Sequence, residues 1–135
     1  MPLVIRELHR ASNVDALNEE WMVLENTGPA PVTAHGCSLS VAKNAKERPK
    51  ILGTIDPGFV LRPGDQIRLV TGTASKKAQG TPPTETERLK NYHLFLKEPM
   101  LRGPGNVVRL SLKQLELARG TFKPDAPHGI EPSPG

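Results

Sequence analysis

The chain has 135 residues, enough for one ordinary domain, and holds 12 glycines, 14 prolines and few aromatics. So many helix breakers exclude a long helical bundle, and a single cysteine excludes an intrachain disulfide or a metal centre built from several thiolates. The formal net charge of +4 permits acidic partners without demanding them.

Short apolar stretches separated by Gly, Pro and Asn follow in order. Residues 2–9 are β-prone, with Leu3 and Ile5 on one side and Val4 and Arg6 on the other. Residues 13–18 read as a loop. Residues 20–26 (EWMVLEN) form a strong strand, with Trp21 and Val23 on one face and Met22 and Leu24 on the other, stopped by Asn26-Thr27-Gly28-Pro29. Residues 36–41 alternate, which puts Cys37, Leu39 and Val41 together. A charged connection over 43–50 leads to a short strand at 51–55. Residues 58–61 then run into Arg62-Pro63-Gly64-Asp65, where Pro followed by Gly suits a type II turn. Residues 66–71 alternate again, with Ile67, Leu69 and Thr71 opposite Arg68 and Val70. Residues 74–88, with Pro82, Pro83 and many small polar side chains, read as a mobile loop. Strands follow at 92–96, 107–112 and 115–122. For residues 111–119 a short helix competes, because Leu112, Leu115 and Arg119 would share a face.

Seven or eight short strands with such punctuation indicate an all-β domain, an antiparallel sandwich or a small barrel. Two facing sheets would enclose Trp21, Leu24, Leu39, Leu61, Ile67, Leu69, Phe95, Val108 and Leu110. Trp21 is the expected core centre, with a cost of about 3–5 kcal/mol for its removal. The domain spans residues 1–122. From Lys123 to Gly135 four prolines and one large apolar residue, Ile130, predict a disordered tail.

Several of these residues form a pattern. They are Asn18-Glu19-Glu20-Trp21 with the strand and Asn-x-Gly turn that follow, Gly36-Cys37-Ser38-Leu39, and Gly58 to Asp65. The pattern continues through residues 66–71 with Gly72-Thr73-Ala74, Tyr92-His93-Leu94-Phe95, and Arg102 to Leu110. The whole resembles the lamin-tail domain family, and most of all its short bacterial members. The resemblance covers residues 1–122 and is most specific over 18–72. It implies an immunoglobulin-like antiparallel β-sandwich and a non-catalytic structural or protein-interaction module. Cys37 stands where the family usually has a tryptophan, and Leu101 or Arg102 where it has a second aromatic.

The residues offer little chemistry of their own. His35 and Cys37 are two apart, on one face if the strand extends that far, but no nearby carboxylate completes a nucleophilic arrangement. Cys37 is expected to be a buried structural cysteine. His9, His93 and His128 are scattered, and His35, Cys37 and His93 give at most three of the four ligands a structural zinc needs. Glu19 and Glu20 would point to opposite faces, Glu85 and Glu87 lie in the presumed mobile loop, and Asp56 reads as a turn former. Residues 72–77 lack the phosphate-loop pattern, and Gly103-Pro104-Gly105-Asn106 reads as a hairpin turn. The expectation is therefore no catalytic, cofactor or metal site, no cofactor and no enzyme.

Charge is balanced over residues 1–75, and the surplus lies in 88–123, where Arg88, Lys90, Lys97, Arg102, Arg109, Lys113, Arg119 and Lys123 face Glu98 and Glu116. This supports an alternative: weak binding of nucleic acid or an anionic surface, although Tyr92 and Phe95, three apart, would not share a strand face. Another protein, or self-association, is the expected partner. The run Leu3 to Ile5 is too short for a signal-peptide core, and no window reaches ~20 apolar residues, so a cytoplasmic chain without membrane insertion is expected.

Overall fold

Alternating apolar side chains become strands whose inner faces share one interior. In a computed structural model, which describes residues 3–131, the strands are β1 (Leu3–His9), β2 (Trp21–Asn26), β3 (Val32–Thr33), β4 (Ser38–Ala42) and β5 (Lys50–Thr54). They continue as β6 (Val60–Leu61), β7 (Gln66–Val70), β8 (Leu89–His93), β9 (Val107–Leu112) and β10 (Leu115–Thr121). One sheet has the order β1-β2-β7-β8 and the other β10-β9-β4-β5, with a small ribbon of β3 and β6. The fold is an all-β, immunoglobulin-like sandwich.

Its interior joins Leu3, Ile5, Leu8, Met22, Leu24 and Leu69 of the first sheet to Leu39, Val108, Leu110 and Ala118 of the second. Each large apolar side chain so enclosed contributes roughly 1.5–3 kcal/mol. Strict alternation cannot place both Ile5 and Leu8 inside. The pairing of β1 with β2 slips between Ile5 and Glu7, and this bulge at Arg6 restores Leu8 to the interior. A similar slip between Glu116 and Ala118 keeps Ala118 opposite Leu110.

The Arg62–Asp65 turn is as expected: Asp65 N donates to Arg62 O (2.9 Å), and Gly64 takes φ 87. Residues 111–119 are not helical. The chain reverses at Lys113 (φ 56), and β9 pairs with β10 as a hairpin that buries Leu117 and Ala118. The Gly103–Asn106 turn, with Gly105 at φ 86, leads into β9 but does not join two strands of a hairpin.

Other expectations are corrected. Trp21 is not the core centre. Met22 and Leu24 take the interior, and Trp21 lies half-buried on the outer face, where its indole Nε1 donates to Glu7 Oε1 (2.8 Å). The apolar interior offers that N–H no such acceptor. Phe95 is also outside, 63% exposed, because the chain kinks there (φ 56) while Leu94 and Leu96 turn inward. The eighth strand is Leu89–His93, upstream of the expected 92–96, and it runs parallel to β7. The long connection after β7 allows that crossover.

The connection over 74–88 is also anchored. The Nδ2 group of Asn18 donates to Thr73 O (2.9 Å), Gly80 O (3.1 Å) and Lys76 O (3.4 Å), and Gln79 Oε1 accepts Thr73 N (2.6 Å). The expected disorder from Lys123 onward does not describe residues 123–131. They turn back so that Ile130 bridges Phe122, Glu131 N donates to Thr121 O (3.0 Å), and Leu8 N donates to His128 O (3.0 Å). Unpaired backbone of β1 and β10 offers these residues partners that a count of apolar side chains does not reveal. The rest of the expected tail, residues 132–135, lies outside the described residues.

Candidate functional site

The sequence candidates do not converge. Cys37 is fully buried, and burial pushes its thiol up, away from the reactive thiolate. His35 points the other way, to solvent, where its Nε2 lies 3.5 Å from Asp56 Oδ1 with both side chains mostly exposed. Asp56 is thus the carboxylate beside His35 that the sequence reading did not find, but the pair leaves the buried thiol untouched. Among the described residues no group of three or more His, Cys, Asp or Glu side chains is placed to hold a metal ion. Glu85 is not free in its loop. Its Oε2 accepts Asn91 N (2.8 Å) at the outer edge of β8.

Among the described residues Glu20 is the one strongly buried carboxylate. Its Oε1 accepts Thr71 Oγ1 (2.7 Å) and Met100 N (2.7 Å), and its Oε2 accepts Leu101 N (3.1 Å). Burial raises its pKa, opposed by these three donors and by Arg10. It ties the segment before β2 to the segment after β8, which is a structural role. Two further buried asparagines act alike. Asn26 Nδ2 donates to Ala30 O and Leu61 O, both at 2.9 Å. Asn106 Oδ1 accepts Arg102 N (2.7 Å) and Gly103 N (3.1 Å). The sequence marked Asn26 and Asn106 as turn residues. Asn18 and Glu20 entered the sequence pattern only as residues leading into the strand, and nothing there pointed to their buried, bridging roles.

The outer face of the first sheet carries an aromatic stack. His9 lies parallel to Trp21, with centroids 3.9 Å apart, and the guanidinium of Arg68 sits 5.4 Å from the Trp21 ring. With one partner from β1 and one from β7, the ring between them is already stacked. A cleft of about 580 Å³ opens beside this face, lined by Glu7, His9, Arg10, Ser12, Phe122 and His128. Glu7 is engaged by Trp21, His9 Nδ1 by Glu19 O (3.0 Å), and among the described residues Ser12 makes no hydrogen bond to either imidazole.

The basic surplus is divided. Lys90 lies on β8 of one sheet, and Arg109 and Arg119 on β9 and β10 of the other. Arg109 Nε and Arg119 Nη2 both reach Glu116 Oε1, at 3.2 and 3.0 Å, and Arg102 pairs with Glu98 (3.0 Å). Tyr92 packs edge-on against Phe59 (5.0 Å) and its hydroxyl accepts Gly58 N, so it is no stacking platform.

The sheet edges differ more than any cluster of side chains. At β8, Thr86 Oγ1 accepts Leu89 N (3.0 Å), Thr86 N donates to Leu89 O (3.0 Å) and Glu85 covers Asn91 N. At β1 and β10 the return over 123–131 supplies the bonds already described. At β5, no backbone partner other than β4 and its continuation is found among the described residues, and Ile51 is 67% exposed. No family model matches the chain, and no curated protein matches it.

Proposed function

We propose that this chain is a non-catalytic protein-interaction module of lamin-tail type that receives its partner at an open sheet edge. The observation that carries this reading is the contrast between β5 and the other edges. Among the described residues three hydrogen bonds cap the β8 edge, the return gives one bond each to β1 at Leu8 and to β10 at Thr121, and β5 receives none. An uncovered edge presents a row of backbone donors and acceptors to a further strand. Weak nucleic-acid or anionic-surface binding through residues 88–123 has less support, because those cations are split between two sheets and three of them are held by Glu98 and Glu116.

Photo-crosslinking in the native cell tests the reading. A benzoylphenylalanine is placed in turn at Ile51, Val60 and Leu115, all well exposed. A reproducible protein adduct at Ile51, on β5, is expected, with Val60 on β6 and Leu115 on β10 as comparison positions. No protein adduct at Ile51, or adducts to nucleic acid alone, would overturn the proposal.

A further inference from the structure

We propose that the occupant of β5 is an extended acidic peptide, which adds as a fifth strand to the sheet β10-β9-β4-β5. This rests on the interaction reading above and names the partner's chemistry. The first support is the edge itself. The backbone of residues 50–54 is paired on the β4 side only, among the described residues, and Ile51 stands beside it as an exposed apolar contact. Main-chain bonds of this kind give affinity without sequence selectivity, so selectivity must come from neighbouring side chains.

Those neighbours are cationic. Lys43, Lys46 and Arg48 lead directly into β5, all exposed, and no ion pair engages them among the described residues. Only Glu47 opposes them within residues 43–50. Lys50 Nζ is held by Glu98 (2.8 Å), which fixes the start of the strand and partly spends its charge. A strand added along this edge runs past these cations and Ile51 at one end and past Thr54 at the other. The complementary segment has carboxylates at one end and β-branched residues at the other. Attraction among exposed charges decays over about 8 Å at physiological salt, so only a peptide seated on the edge experiences it fully.

The edge is less suited to a second copy of the chain. The β4–β5 pairing slips at Leu52, because Leu39 faces Gly53 and Ser40 faces Ile51. Such a bulge bends and twists the strand, which discourages two rigid sheets from joining edge to edge. A flexible peptide can follow the twist. Two copies would also confront similar cationic lead-ins, with Asp56 the nearest acid beyond the strand.

The test uses the whole chain and two synthetic probes, a short peptide with glutamates at one end and valine and threonine at the other, and a twin with lysine for each glutamate. Backbone amide shifts are followed by NMR. The acidic peptide should shift the amides of residues 43–54 and weaken steeply with salt. Its affinity should fall about tenfold in the exposed double variant Lys46→Glu/Arg48→Glu. Ile51→Lys should weaken it further, and the lysine twin should not bind. Shifts confined to another surface, no shift at millimolar peptide, or equal binding of the twin would overturn the proposal. So would concentration-dependent self-association through β5 that Ile51→Lys abolishes. If peptide binding fails while protein crosslinks form at Ile51, only this inference falls and the module reading stands.

Discussion

Glu20→Gln isolates the buried carboxylate that joins two distant segments. The change removes the charge and keeps the shape. Gln Oε1 can still accept from Thr71 Oγ1 and Met100 N, both 2.7 Å from Glu20 Oε1, but its Nε2 then faces the Leu101 N–H, 3.1 Å from Glu20 Oε2. A buried amide donor without an acceptor costs about 1–3 kcal/mol, and a hydrogen bond to a charged group is worth roughly 1.5–3 kcal/mol. Relief of the carboxylate's burial offsets part of this. The expected loss at neutral pH is about 1–3 kcal/mol, read as a lower urea midpoint with an unchanged slope. The pH dependence has a definite sign. Burial raises the pKa of Glu20 in the folded chain, so its titration contributes stability that is full below the usual carboxylate value of 4.5 and is lost as pH rises through the raised value. Gln lacks this titration, so the gap between wild type and variant should narrow as pH rises through that window. Glu25 and Glu98 are held low and act oppositely, but they cancel because both proteins carry them. A loss below 0.5 kcal/mol, taken as about the ordinary surface effect, or a gap that widens with pH, would refute the reasoning.

Trp21→Phe should keep most of the outer-face packing and lose the Glu7 bond, for a cost of about 1 kcal/mol, whereas Leu69→Ala in the interior should cost about 2–5 kcal/mol. Parallel urea titrations check the order, and a larger loss at Trp21 would return it to the core. Gly129→Ala places a Cβ against the Leu8 carbonyl at φ 69, so the C-terminal return should detach, with a loss of about 1–3 kcal/mol and faster amide exchange at Leu8. Unchanged exchange at Leu8 would count against the docked return. Glu85→Ala/Thr86→Ala uncovers the N–H groups of Leu89 and Asn91 on β8, and sedimentation should then show concentration-dependent association absent from the wild type. A variant that sediments like the wild type would show that these caps do not protect the edge.

Fold class was legible because period-two alternation and turn chemistry are local. Residues 107–112 alternate and become β9 unchanged, and Pro63-Gly64 closes the turn it suits. What was not legible depends on partners far along the chain. Trp21 alternates as well inward as outward, and the choice falls to a glutamate on β1 that accepts its N–H. The bulge at Arg6 has no local signature, yet it determines which side of β1 is apolar after Ile5. Asn18 and Glu20 are visible in sequence as part of the pattern around Trp21, but not as buried bridges, because the groups they bind lie more than fifty positions away. For the site the limits were sharper. Residue types and spacings can exclude a phosphate loop or a zinc cluster, but the openness of an edge is a property of neighbours, and no motif encodes it.

Edge covering gives the candidate site its meaning. A sandwich of two open sheets has four edge strands, and each exposes backbone groups that another chain can pair with. Here the covers are specific. Glu85 and Thr86 are polar side chains placed on β8 N–H groups, and the return past Lys123 bonds to both sheets where β1 and β10 adjoin. At β5 the deterrents are a bulge, the lysine at its first position and the neighbouring Leu96 and Glu98, which touch Gly53 and Lys50. The bulge and the lysine hinder a flat, rigid partner more than a flexible one. The cations of residues 43–48 repel basic segments and attract acidic ones, so the features that restrain aggregation at this edge also define which strand can be received there.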